Sequence, residues 1–227
     1  MTRSTSARLA GVTYLLYIGL AFPSMILYGG ATRGVGTAAK LARIADHAGD
    51  VRVAIVLTMA TCFVAIALAV SLYGITRAED HELAVLALSC RVGEGLMSAI
   101  APVGMLALLW LATSKGPDAP DPAAARAIAA YLMKQSWATI GALLFAVGST
   151  IFTALMLRGR MIPIGLAWLG VIASVILDVF LPFQLVGFLP GMLPQLMWIP
   201  ITLFEIPLGV WLIVKGVRPL RASNLGL

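Results

Sequence analysis

Long apolar runs separated by short polar stretches make up this chain. Six runs reach the length that a helix needs to cross a bilayer, about 20 residues rising 1.5 Å each. They cover approximately residues 9–29, 53–75, 83–111, 136–157, 161–181 and 197–214. The pattern predicts an all-α integral membrane bundle of about six transmembrane helices, forming a single domain over 1–227. The first run could imitate a signal peptide, but no small-x-small cleavage site followed by a soluble domain accompanies it. It is therefore taken as the first span.

The polar stretches add detail. Between the first two runs, Leu41, Ile44, Ala45 and Ala48 recur at helical spacing, which predicts a short amphipathic helix on the membrane surface. Between the third and fourth, GPDAPDP is a turn signal. Asp121 followed by Pro122 then opens a second interfacial helix, AAARAIAAYLMK. Residues 181–194 carry no charge and include Pro182, Pro190 and Pro194. Such a loop can dip into the bilayer edge where protein covers its backbone. Pro23 and Pro102 free the carbonyls of Gly19 and Ser98, so kinks are expected there. Tyr14, Tyr17 and Tyr28 read as interfacial anchors or as polar contacts within the bundle, and Ala138, Ala142 and Ala146 as a ridge for close helix packing.

Composition agrees: 60% of residues are hydrophobic and 11% charged, against about a quarter charged in soluble domains. The net charge of +6 is read as loops beside anionic lipid, with no nucleic-acid partner. Arg158 and Arg160 in one short turn, and Lys215, Arg218 and Arg221 in the tail, put both termini on the cytoplasmic side of a bacterial inner membrane. Cys62 and Cys90 fall in spans at depths about 10 Å apart, beyond disulfide reach, and read as small packing residues. His47 and His81 lie in loops, so neither intramembrane haem ligation nor a zinc cluster has residues to use. No metal and no cofactor is expected. The expected partners are the lipid bilayer and a small-molecule or lipophilic ligand; the oligomeric state is left open.

What remains is a set of charges inside the spans. Arg91 and Glu94 lie three residues apart on one helix face, and Glu205 lies in the sixth run. From the cytoplasmic ends of their spans these residues sit about 12, 16 and 14 Å deep at 1.5 Å per residue. Charges at such depth are costly and face a protein interior or a cavity, so the three are expected to meet as a ligand- or proton-binding centre. One Arg and two carboxylates cannot balance if all are ionised. The expected resolution is one carboxylate paired with Arg91 and the other protonated or facing water. Secondary candidates are Arg52, which opens the second span, Ser98 on the face of Arg91, Ser174, and Asp178. The last is read as a capping or interfacial acid near the opposite surface. No Walker, HExxH or GxSxG motif and no Asp-rich magnesium pair occurs, and no catalytic residue is assigned. Three readings stay open: binding or translocation of a small molecule with a proton, an acid-catalysed cyclase or isomerase of a lipophilic substrate, and a structural protein whose charges pin its helices.

The chain resembles a family of bacterial multi-pass membrane proteins known as domain of unknown function 4386. The likeness rests on ARLAG at Ala7–Gly11, Arg52 after the amphipathic loop, and RVGE at Arg91–Glu94. It continues in FAVGSTIFTALMLRGRMIPIGLAWLG from Phe145 to Gly170 and EIPLGVWLIVKGVR from Glu205 to Arg218. The resemblance implies a six-helix or similar bundle with Arg52, Arg91, Glu94 and Glu205 as typical positions, and it implies no activity. Relatives often have an acidic or His-containing segment before the fourth span, where this chain reads LMKQSW.

Overall fold

The computed structural model describes residues 2–117, 119–135, 137–189 and 191–218. Ser136, Pro190 and Arg221, which entered the reading of the fourth span, the last loop and the tail, lie outside the described residues. The helices in chain order are α1 (Arg3–Ala31), α2 (Thr37–Asp46), α3 (Ala48–Thr76), α4 (His81–Ser98) and α5 (Ile100–Thr113), then α6 (Pro122–Met133), α7 (Trp137–Arg158), α8 (Ile164–Leu185), α9 (Leu193–Leu196) and α10 (Ile199–Val214). No strand occurs among the described residues. Six helical stretches are long and apolar enough to cross a membrane, and they coincide with the six runs of the sequence. Outward-facing Val56, Phe63, Leu86 and Ile172 suit contact with lipid tails rather than water.

Both interfacial helices form for the expected reasons. α2 buries Leu41 and Ile44. Asp121 caps α6, its Oδ1 accepting from the backbone N–H groups of Ala123 (2.8 Å) and Ala124 (3.1 Å), with Pro122 in the first turn. The ends and breaks of the spans add detail. α1 begins before the apolar run, at Arg3: the Thr2 side chain caps it by accepting from the Thr5 N–H at 3.2 Å. Arg3 then ties the helix down by donating to the carbonyls of Ile75 (3.0 Å) and Arg218 (3.2 Å). α1 is continuous through Pro23. The third run, by contrast, is two helices separated at Ala99. There the Pro102 ring crowds the carbonyl of Ser98, and the Ala99 N–H falls back on Gly95 and Leu96 (both 3.2 Å).

The spans close into a ring. α1 packs on α3 and α10, α4 on α3 and α7, and α8 on α7 and α10. The break at Ala99 sends α5 toward α2 and α6, where Leu41, Ile44, Met105, Leu108 and Ala129 form a second core at one end of the bundle. α4 stays on α7, so the divergence leaves space between α1, α5 and the start of α7. Small residues permit the closest approaches. A Cβ on Gly11 would lie 2.6 Å from the Gly209 carbonyl oxygen, and one on Gly170 would lie 2.6 Å from the Phe204 ring.

At the opposite end the turns are joined. Arg158 Nε donates to Glu79 Oε1 (3.0 Å) and its Nη1 to Asp80 Oδ2 (3.3 Å), linking α7 to the α3–α4 turn. Arg160 closes α7 with φ +48°, while the Met161 N–H bonds back to Met156 and the Arg160 N–H to Leu157. This is the Schellman arrangement, usually built around glycine at that position.

Candidate intramembrane charge centre

α4 carries the centre. Its 3.6-residue period puts Arg91 and Glu94 on the face turned toward α1 and α7, and both are buried, at 1% and 3% exposure. Arg91 Nη1 lies 2.9 Å from Glu94 Oε2. The pairing is one of charge rather than of alignment: among the described residues no Arg91 nitrogen meets an acceptor with hydrogen-bond geometry. The other carboxylate oxygen, Glu94 Oε1, accepts from the Tyr17 hydroxyl of α1 at 3.3 Å.

α7 supplies the opposite wall. The Phe145 ring lies under the guanidinium, its centroid 4.5 Å from Arg91 Cζ, a cation–π contact of the kind that gains strength when desolvated. Gly148, one turn along α7, makes room for the Arg91 stem: a Cβ there would stand 2.8 Å from Arg91 Cγ. Gly141, Phe145 and Gly148 thus make the face of α7 that meets α4. Of the alanine ridge expected from the sequence, Ala146 is buried in the core and Ala142 packs against it, while Ala138 and Ala142 also line the adjoining cavity.

That cavity, of about 380 Å³, lies between α1, α4, α7 and α10. Glu94 and Glu205 both line it, with Tyr17, Phe145, Trp198 and Thr202. α10 brings Glu205 inward through the same turn that buries Ile201, Phe204 and Leu208. The residue is 7% exposed, and its carboxylate has neither a salt bridge nor a hydrogen bond among the described residues. A second cavity of about 700 Å³ shares Tyr17, Ala21, Met25, Ser98 and Ala138 with the first and extends to Lys40 and Gln135. The structure therefore brings Arg91, Glu94 and Glu205 into one region, and Ser98 lines both cavities.

The remaining candidates fall elsewhere. Arg52 is exposed on the first turns of α3. Ser174 is buried, its hydroxyl donating to the Gly170 carbonyl at 2.8 Å, so it is spent within its own helix. Asp178 caps no helix: its Oδ2 accepts from Thr150 Oγ1 of α7 at 2.6 Å. Asp178 itself is only partly buried. Sequence reasoning gave Tyr17 two roles and missed Phe145 and Gly148 as parts of the centre. A heptad of small, aromatic, small at 141, 145 and 148 was the available signal. Among the described residues no group of three or more His, Cys, Asp or Glu side chains gathers as a metal site.

No curated protein and no solved structure matches the chain. One family does, described as Domain of unknown function (DUF4386), over residues 9–216. That range spans the charge centre and all but the first turns of α1. A six-span bundle organised around intramembrane charge is thus a multi-pass membrane protein, and the chain belongs to the DUF4386 family.

Proposed function

We propose that the protein binds a small molecule in the cavity beside Arg91, Glu94 and Glu205 and carries it through the membrane in exchange for a proton. The observation that carries this reading is the pair of carboxylates lining one cavity, with Arg91 committed to only one of them. Glu94 has both its charge partner and its hydroxyl donor in place, whereas Glu205 has neither. A buried carboxylate without a partner is unfavourable when ionised, so Glu205 is the group that takes up a proton when the cavity is empty and releases it when a ligand supplies compensation. A cavity of about 380 Å³ falls within the range of small-molecule sites, about 300–1,000 Å³. We place the termini and the Arg158–Arg160 turn on the cytoplasmic side of a bacterial inner membrane, following the positive-inside rule.

Native mass spectrometry of protein released from mild detergent tests the reading, with wild type beside Glu205→Gln. The expected result is a defined small-molecule adduct on the wild type that the variant lacks, with both proteins melting as folded species. Adducts of ordinary phospholipid alone, equal in the two proteins, would leave a charge network that only pins helices.

A further inference from the structure

We propose that the ligand is a lipophilic monocation, an amine or onium with apolar substituents, whose charge is seated at Glu205 in place of a proton. This rests on the reading of the cavity as a binding site and adds the class of ligand.

The argument begins with the sign of the walls. Glu94 and Glu205 line the cavity, and among the described residues no Lys or Arg does. The cation of the centre, Arg91, is withdrawn from that lining: Phe145 lines the cavity and lies against the guanidinium at 4.5 Å. An anionic ligand would face two carboxylates without reaching Arg91. A neutral one would leave Glu205, 7% exposed and unpartnered among the described residues, holding its proton, so nothing would be exchanged. A cation meets both requirements.

The aromatic walls point the same way. Tyr17, Phe22, Phe145 and Trp198 all border the cavity, and aromatic faces attract cations within about 6 Å of the ring centre, most strongly for Trp. Apart from the hydroxyls of Ser98 and Thr202, the rest of the lining, including Ile18, Ala21, Met25, Ala142 and Ile201, is apolar. These apolar walls reward hydrocarbon substituents at about 25 cal/mol per Å². The adjoining cavity of about 700 Å³ reaches outward to Lys40, which leaves the negative sign at the inner end.

Binding then exchanges charge for charge: the protonated Glu205 carboxyl releases its proton, and the cation takes the proton's place against the carboxylate. The ionisable groups facing Glu205 are Tyr14 and Tyr17 from α1 and Arg91 and Glu94 from α4. On α8, also packed on α10, Asp178 is bonded to Thr150. Glu94 is held by Arg91 and Tyr17, which leaves Glu205 as the exchanging acid. Affinity therefore falls as pH is lowered, because proton and cation compete.

The test is equilibrium dialysis of the full chain in mild detergent with tetraphenylphosphonium as probe and triphenylphosphine oxide, a neutral analogue, as competitor. Wild type is expected to bind one cation, with affinity falling by up to about tenfold per pH unit on the acid side. Glu205→Gln should lower affinity about tenfold or more and flatten the pH profile, while Glu205→Asp retains the pH dependence. Trp198→Leu, which keeps the acid, should also weaken binding. No saturable phosphonium binding, equal binding to the Gln variant, a flat wild-type pH profile, or displacement by the neutral phosphine oxide as effective as by unlabelled cation would each overturn the assignment. The same preparations, examined by native mass spectrometry, separate the two levels. A Glu205-dependent adduct that is neutral or anionic keeps the binding site and removes the cation.

Discussion

Replacing Gly148 with alanine opposes two physical effects, and the structure says which wins. In an exposed helix interior, Gly→Ala is stabilising by about 1 kcal/mol, because alanine has the higher helix propensity. At position 148 the new methyl would stand 2.8 Å from Arg91 Cγ, and 3.1 Å from both Arg91 Cδ and the Ala87 carbonyl oxygen. Carbon–carbon contacts are optimal at about 3.5–4.0 Å, so the deficit is about 0.7 Å or more. Neither neighbour yields easily. The Ala87 oxygen belongs to the backbone of α4, and the Arg91 stem is fixed at its far end by Glu94 and Phe145. Overpacking of this kind costs about 1–3 kcal/mol, enough to reverse the propensity gain, and a loss of 2 kcal/mol is about 30-fold in the folding equilibrium. Steric-trap unfolding in mild detergent measures it. A double-mutant cycle identifies the cause: in a Glu94→Gln background, which leaves no orphaned carboxylate, Arg91→Ala removes the clashing carbons. The alanine at 148 should then cost about 1 kcal/mol less than it does beside Arg91. If Gly148→Ala stabilises the protein, or if the cycle closes to within about 0.5 kcal/mol, Gly148 does not serve to seat Arg91.

Two further predictions concern regions away from the centre. Thr150→Val removes the donor at 2.6 Å from Asp178 Oδ2 and leaves the whole carboxyl without a partner, since Oδ1 has none among the described residues. The expected loss is about 1–3 kcal/mol, with Thr150→Ser close to wild type; equal melting of the two variants would remove the bond from the account. Arg160→Gly relieves a left-handed backbone at φ +48° that costs a side-chain-bearing residue about 1–2 kcal/mol. Part of the gain is lost to the greater freedom of glycine in the unfolded chain, so stability should rise by about 0.5–1 kcal/mol in the same assay. A drop in stability would show that the Arg160 side chain contributes more than its backbone costs.

The sequence alone determined the elements of this protein. The six spans, the caps and the surface helix α2 follow from forces that act within one turn or one segment: lipid forces each crossing stretch to satisfy its own backbone, and Asp121 or Pro102 acts on atoms at most four residues away. The Arg91–Glu94 pair was legible for the same reason, being set by the i, i+3 geometry of a single helix. The tertiary structure decided everything that depends on which helices adjoin. It put Glu205 of α10 on the cavity of Glu94 and laid Phe145 of α7 against Arg91. It also brought Tyr17 of α1 to the carboxylate, and it paired Asp178 with Thr150. It likewise left Arg52 on the outside and Ser174 spent on its own backbone. A span's periodicity says that one face is special but not what lies opposite, because helix rotation and ring order are set by close packing across α1, α3, α4, α7, α8 and α10 together. The site is built from those contacts between helices, and no single stretch of sequence contains them.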